Sequence, residues 1–268
     1  AMHRALGDDE SLLRLTAVDA VAEQSPEAFV ERLGPMLFDP VRTVRIRAAA
    51  RLAATDRSYL KPHQRETLDK ELAEYIESLE RNLDFPSAAA NLANLYANQR
   101  DFAQAERYYR TALDVDNLFF PAKLNLAMLA AQRGENTEAE QLLREVLDDY
   151  PQQHDAAYSL ALLLAGLGRV DESLPYLAQA AEGMPRNSRA QYNYGLLLAQ
   201  LSRDEDAEAA LYRALALEPA GFDYLYALID FHYKRGQFDK ALALAERMIE
   251  AHPAQRFGYD VKAAIENR

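Results

Sequence analysis

Between Pro86 and Gln255 the chain repeats with a period of 34 residues, without insertion or deletion. Five rows align: 86–119, 120–153, 154–187, 188–221 and 222–255. Pro151, Pro185, Pro219 and Pro253 share one column, with Asn117 in the first row. Ala105, Ala139, Ser173, Ala207 and Ala241 share a second; Leu92, Leu126, Leu160, Tyr194 and Leu228 share a third. A fixed period of this length restricts the chain to a stack of like units, each unable to bury its apolar face alone. In the second row Leu124, Leu126, Leu129 and Ala130 make one helical stripe. Ala139, Leu142, Leu143, Val146 and Leu147 make another. Each row therefore predicts a helical hairpin. Small residues at Ala93, Ala127, Ala161 and Gly195 mark where paired helices approach closest. Overpacking such a site costs about 1–3 kcal/mol. The hairpin turns hold Arg100, Gly134, Gly168, Ser202 and Gly236; glycine takes positive φ there without strain. The proline column stops each second helix.

A 34-residue period with glycine at the turn, then Ala, then an aromatic or Leu, then Pro resembles the tetratricopeptide repeat. The expected fold is all-α, a right-handed superhelical α-solenoid of helical hairpins. Residues 1–85 form a short HEAT-like helical segment ahead of the five repeats at 86–255, and 256–268 form a C-terminal capping helix.

The N-terminal segment is read from its caps and stripes. Asp8 or Asp9 can cap a helix carrying Leu12, Leu13, Leu15, Val18 and Val21. Ser25-Pro26-Glu27 opens a second, bearing Phe29, Val30, Leu33, Met36 and Leu37, with a kink or break at Gly34-Pro35. Asp39-Pro40-Val41-Arg42, followed by Val44-Arg45, Ala48-Ala49 and Leu52, resembles the HEAT-repeat signature; Val44, Ala48 and Leu52 are its buried face. A long helix over Pro62–Leu83 places Leu68, Leu72, Tyr75, Ile76 and Leu79 on one side. Beyond the array, Tyr259, Val261, Ala264 and Ile265 are spaced for an amphipathic cap.

Composition narrows function. The net charge is −12, about −4 of it on 1–85 and −8 on 86–268, which disfavours a nucleic-acid surface. Arg42, Arg45, Arg47, Arg51, Arg57 and Lys61 make 39–61 locally basic; the reading favoured is a solvated face with arginine stems along the stack, over an anion patch. There is no cysteine, hence no disulfide, thiolate zinc site or covalent c-type haem in this chain. No apolar run is long enough to span a membrane, and no signal-peptide h-region opens the chain. Ala1-Met2 reads as a remnant ahead of an internal start, which leaves room for an upstream leader or domain. The histidines at 3, 63, 154, 232 and 252 are scattered, and helix-end or exposed roles are expected of His154 and His252. No phosphate loop, H-E-x-x-H or nucleophile–base pair is present, so neither catalysis nor a metal or cofactor is expected.

The tetratricopeptide resemblance implies that the first helix of each hairpin lines a concave groove through the second, fifth, ninth, twelfth and thirteenth repeat positions. Here those positions hold Asn94, Asn98, Gln132, Tyr158, Arg189 and Tyr192. Further along they hold Gln200, Asp223, Tyr226, Asp230, Tyr233 and Lys234. Tyr158, Tyr192 and Tyr226 recur one repeat apart and suit contact with an extended peptide or partner helix. The scarcity of lysine and arginine there argues against a clamp for chaperone C-terminal carboxylates. Asp39-Pro-Val-Arg, Glu74-Tyr75 and Asp84-x-Pro86 leading into Asn91-Leu-Ala-Asn-Leu-Tyr96 are similar to the C-terminal half of bacterial multihaem cytochrome c proteins with tetratricopeptide repeats. That resemblance implies a periplasmic address and a docking role, with the haem sites absent from this chain. The function expected is non-catalytic protein–protein binding. Its alternatives are the docking segment of such an electron-transfer protein, or a solenoid that assembles with itself.

Overall fold

The five hairpin turns share one backbone conformation whatever residue they hold. In the computed structural model, which describes residues 5–22 and 25–267, φ is 63° at Arg100, 80° at Gly134, 77° at Gly168, 58° at Ser202 and 72° at Gly236. A side chain in this left-handed region costs about 1–2 kcal/mol, so Arg100 and Ser202 are held there by the turn itself. After Arg100, Gly168, Ser202 and Gly236 the next residue closes back onto the first helix. Asp101 N–H donates to the Tyr96 carbonyl, Arg169 to Leu164, Arg203 to Leu198 and Gln237 to His232, all at 2.9 Å. These bonds satisfy carbonyls that a helix end otherwise leaves orphaned.

Among the described residues the fold is all-α, with fifteen α-helices and two 3₁₀ turns. The reading of Ala1-Met2 and of His3 lies outside those residues. The chain forms two compact units, Ala1–Arg133 and Gly134–Arg268. The first contains α1 (Ser11–Ala20), α2 (Pro26–Leu33), α3 (Arg42–Leu52), α4 (Pro62–Glu80), α5 (Pro86–Asn98), α6 (Phe102–Val115) and α7 (Phe120–Gln132). The second contains α8 (Asn136–Asp149), α9 (His154–Gly166), α10 (Val170–Gly183) and α11 (Ser188–Gln200). It continues with α12 (Asp204–Leu217), α13 (Phe222–Lys234), α14 (Phe238–Ala251) and α15 (Arg256–Glu266).

In the first unit α3 packs on α1 and on α4, with Val44, Ala48, Ala49 and Leu52 fully buried between them. Ser25 caps α2, its Oγ accepting from Ala28 N–H at 3.2 Å. Gly34-Pro35 does break that helix: a 3₁₀ turn over Gly34–Phe38 replaces it and turns Leu37 into the core. Two expectations need correction. Leu12 and Leu13 are not core residues; they stand 69% and 51% exposed. Neither Asp8 nor Asp9 caps α1: the helix follows Glu10, and the Asp8 carboxylate accepts only from Glu10 N–H, at 3.0 Å. The inward side of α1 carries Arg14 and Ala17 beside the expected Val18.

Arg14 is buried because Asp39 is there to meet it. Its Nε and Nη2 donate to the two Asp39 carboxylate oxygens at 2.7 and 2.9 Å, a paired geometry that suits a planar guanidinium. The same carboxylate accepts from Val41 N–H at 2.8 Å and so opens α3. Arg45 continues the network, donating to Glu71 of α4 at 3.1 Å and to the Asp39 carbonyl at 3.0 Å. The rest of the arginine run is also committed internally. Arg42 pairs with Glu74, Arg47 with Asp19 at 2.9 Å, and Arg51 donates to the carbonyls of Asp19 and Val21 at 2.9 and 2.5 Å.

In the second unit each helix packs on the next along the chain. The small-residue columns sit at the closest approaches. Ala161, Ala207 and Ala241 are fully buried, and Ser173 fits the column of Ala207 and Ala241 because its hydroxyl donates to the Ala161 carbonyl at 2.8 Å. A Cβ on Gly195 would lie 2.8 Å from Leu211 Cγ and 3.1 Å from its backbone nitrogen, so α11 and α12 need glycine there. The last helix, α15, begins 34 residues after α13 and stands as the first helix of a further row. Its packed face is Phe257, Gly258 and Val261. Tyr259 is 47% exposed and Ala264 is exposed, which corrects the stripe expected from spacing.

Candidate peptide-binding face

The first helices of the hairpins, α5, α7, α9, α11 and α13, differ from their partners in charge. Together they carry Lys123, Arg189 and Lys234 against Asp155, Asp223 and Asp230, a balance of zero. The acidity of the array sits on the second helices. Two of those opposite charges pair on the spot, Arg189 with Asp223 and Lys234 with Asp230, each at 2.8 Å. What these helices leave for a partner is aromatic and carboxamide surface.

In the first unit Asn94, Asn98 and Gln132 line one cavity of about 650 Å³ between α5 and α7. Tyr109, Asn125 and Met128 complete its wall. Burial pushes the Tyr109 phenol up to about 12, so it keeps its proton and donates a hydrogen bond to Asn94 Oδ1 at 2.7 Å. Asn125 Nδ2 donates to the same oxygen at 2.9 Å.

In the second unit Tyr192, Gln200, Tyr226, Asp230 and Lys234 line a cavity of about 290 Å³ between α11 and α13. Leu196 and Phe231 form part of it. Tyr192 packs on Tyr224 with ring centres 5.2 Å apart and lies under the Arg189 guanidinium at 5.6 Å. Tyr226 is 43% exposed, with one flank against Phe257 at 4.2 Å. Tyr158 is half-buried, and its hydroxyl accepts from Asn193 Nδ2 at 2.6 Å. Burial raises the Tyr158 and Tyr192 phenols, which keeps both neutral. The tyrosine series is thus graded, from two half-buried rings to one open one. Tyr233 and Arg189 line neither cavity; Tyr233 packs edge-on against Phe238 at 5.6 Å.

Tyr109, Asn125 and Phe231 are lining residues that the expected groove positions do not include, while Met128 and Leu196 stand at the expected ninth position. A signal for Asn125 exists: the sixth repeat position holds Asn91, Asn125, Ser159, Asn193 and Ala227. Asn125 and Asn193 both use that position to reach back to a residue of the preceding repeat, Asn94 and Tyr158.

His232 is a second residue that sequence spacing passes over. It is fully buried on α13, with Nδ1 bonded to Gln237 Oε1 at 2.5 Å and Nε2 to the Tyr212 hydroxyl at 3.1 Å. A proton on Nδ1 leaves Nε2 as the acceptor, the neutral tautomer. Glu208 lies 3.9 Å from Nε2 but is itself paired with Lys240 at 2.6 Å, and Arg235 is also near. Burial, opposed by the Gln237 bond and the Glu208 charge, holds His232 below its ordinary value of 6.5. A depressed histidine contributes stability that is full above the unfolded value and lost as pH falls through the folded one. Urea midpoints of the parent should therefore decline below about pH 6.5. The decline should be shallower in His232→Gln, measured at several pH values; parallel slopes would remove His232 as the cause.

Among the described residues no cluster of His, Cys, Asp or Glu could hold a metal ion. No described helix is long and apolar enough to cross a membrane.

Stacked hairpins of about one 34-residue period, closed by left-handed turns and offering side-chain pockets between successive first helices, define a helical-hairpin repeat protein. Residues 90–154, 158–221 and 205–256 match the family described as Tetratricopeptide repeat, together more than half of the chain. The chain belongs to the tetratricopeptide repeat family. Repeats of this family are in general non-catalytic scaffolds for protein–protein interaction. No curated protein matches the chain. Among solved structures, YrrB, described as a TPR protein with an unusual peptide-binding site, superposes with a TM-score of 0.60 at 21% identity, over 70% of this chain and 97% of YrrB. A MamA structure gives 0.57 at 17% identity, over 63% and 92%. MamA 41-end from Desulfovibrio magneticus RS-1 gives 0.56 at 19%, over 64% and 95%. At these identities the likeness is one of fold.

Proposed function

We propose that this protein binds a partner through an uncharged stretch of peptide laid along the first helices of its hairpins, without chemistry of its own. The observation that carries this is the charge balance of those helices: their charges cancel, four of the six in two ion pairs, while tyrosines and carboxamides line the pockets between them. Such a face offers contact area, dipoles and little long-range field. The peptide-binding site named for YrrB supports the reading by analogy of fold.

Selection of peptides from a random display library tests it. Selected peptides should carry little net charge on the contacting stretch. Their affinity should change by less than about threefold when salt rises from about 0.05 M to about 0.5 M, since surface charge effects are screened over that range. Gln200→Ala and Tyr226→Ala together should weaken binding by about tenfold, as for anchor residues. Exchanging Glu145 on the opposite helix set should leave it unchanged. Peptides that are all basic, lose binding in salt and ignore Gln200 and Tyr226 would move the interface to the acidic second helices.

A further inference from the structure

Of the second helices of the five hairpins, α10 is the one without a lysine or arginine. Arg110, Arg144, Tyr212 and Glu246 hold one column of the repeat, and Ala178 holds it in the third row. Beside it Gln179 stands where the next two rows have Arg213 and Arg247. With so small a side chain at 178, a cavity of about 630 Å³ opens between one face of α10 and the turn at 151–154. Gly183 shapes the same wall. A Cβ there would lie 2.2 Å from the His154 ring, so the ring is seated only because residue 183 is glycine.

The groups around this cavity are mostly acceptors. Gln179 Nε2 donates to the Pro151 carbonyl at 2.5 Å, which leaves Gln179 Oε1 as the free end of that amide. The Pro151 carbonyl keeps a second lone pair. Glu182 is exposed and has no ion pair or side-chain hydrogen bond within the described residues. Gln179 and Glu182 are three residues apart on one helix face, so they are neighbours. Nδ1 of His154 is buried without a partner. Pro175 adds an apolar ring and no N–H. No lysine or arginine lines the wall. Arg144 and Arg169 meet α10 at Tyr176 and Glu172, and both are also held by Glu140. An anion entering here would meet Glu182 and no cation. Two rows further on, the array occupies the equivalent place itself: Arg247 Nη2 donates to the Pro219 carbonyl at 3.5 Å, and these two residues correspond to Gln179 and Pro151. The position therefore accommodates a guanidinium. Its five donors in a planar fork suit acceptors on separate groups better than the compact ammonium of lysine does.

We infer that the cavity beside α10 takes an arginine side chain of a partner protein, its guanidinium among the Glu182 carboxylate, Gln179 Oε1 and the Pro151 carbonyl and its stem along Pro175. The site is built by a second helix and the turn before its hairpin, and it stands independently of the face proposed on the first helices.

The test uses the full chain and N-acetyl-arginine N-methylamide as the probe, followed by NMR of the Gln179 side-chain amide and the His154 ring. The probe should shift both signals saturably. The citrulline analogue, which keeps the shape and drops the charge, should not, and the lysine analogue should bind at least about threefold more weakly. Glu182→Gln, at an exposed site that leaves the fold intact, should weaken the probe by about tenfold or more, because a charged hydrogen bond is lost. Ala178→Arg installs the residue that the first two rows carry at this place, so the fold tolerates it; it should fill the cavity from within and abolish the response. Gln200→Ala with Tyr226→Ala should leave the response unchanged, whatever becomes of the first-helix face. Equal shifts from the citrulline compound, or none from the arginine compound, would overturn the inference. So would a Glu182→Gln or Ala178→Arg variant that melts like the parent and binds the probe like the parent. Free arginine binding about tenfold more tightly than the blocked probe would make the occupant a small metabolite instead of a partner's side chain, and would overturn it as well.

Discussion

Asp39→Ala is expected to destabilise the first unit by about 3–5 kcal/mol, the cost of stripping one member from a buried ion pair. The Asp39 carboxylate accepts from Arg14 twice and from Val41 N–H once, and only 5% of the residue is exposed. Removing it leaves a guanidinium inside the α1–α3 interface without its counter-charge and leaves α3 without its opening bond. Arg45 cannot stand in, because it is held by Glu71 and by the Asp39 and Pro40 carbonyls. Chemical denaturation followed by a probe in the first unit measures the effect. Asp39→Asn should recover the Val41 bond but not the charge, and so fall between parent and alanine. The pH dependence has a definite sign. The Arg14 bond first, with the Val41 bond and nearby arginine charges, holds the Asp39 carboxyl below its ordinary 3.8. Stability from a depressed carboxylate is full above the unfolded value and lost as pH falls through the folded one. The parent should thus lose stability in strong acid that Asp39→Asn no longer has to lose. An alanine variant as stable as the parent would show that the pair is incidental.

That pair also shows where sequence spacing stops being informative. The array was legible because 34-residue periodicity averages over five copies. Columns of small residues, turns and prolines recur together, and the left-handed φ recurs at Arg100 and Ser202 where glycine is missing. The N-terminal helices occur once each. Leu12 and Leu13 outrank Arg14 on hydrophobicity, yet Arg14 goes inside because Asp39, 25 residues away, neutralises it. A one-residue choice of face in α1 and in α15 could not be read without the partner that covers it. The binding-face positions came from resemblance to a family, which names positions on the first helices. Tyr109 and Leu211 sit on second helices and line the pockets from behind, and nothing in a first-helix pattern points to them. His232 is hidden for a similar reason: its hydrogen-bond partners, Gln237 and Tyr212, lie across a turn and on another helix.

Tyr224 and Tyr226, two residues apart on α13, are expected to separate core from face by the largest margin in the second unit. Tyr224→Ala should cost about 3–5 kcal/mol, the range for truncating a buried aromatic. The residue is 4% exposed, packs on Tyr192 at 5.2 Å and donates to Ser188 Oγ at 3.0 Å, and Ser188 in turn donates to Glu218. Tyr224→Phe, which keeps the ring and drops that bond, should cost about 1 kcal/mol. Tyr226→Ala should cost about 1 kcal/mol or less, since the open side of its ring contributes little and the loss is mainly the contact with Phe257. Thermal melts decide the matter. Equal melting points for the two alanine variants would mean that Tyr226 is a packing residue with an exposed edge, and the proposed face would then have to be carried by Gln200, Asp230 and Lys234. A large loss at Tyr224 with near-parent stability at Tyr226 leaves the outer ring free to be tested for binding without the complication of unfolding. Half-buried Tyr158 and Tyr192 should fall between the two, because each is only partly covered. The period of 34 puts Tyr158, Tyr192 and Tyr226 in register; their unequal exposure follows from what each repeat places beside them, Asn193 for the first, Tyr224 for the second and Phe257 for the third.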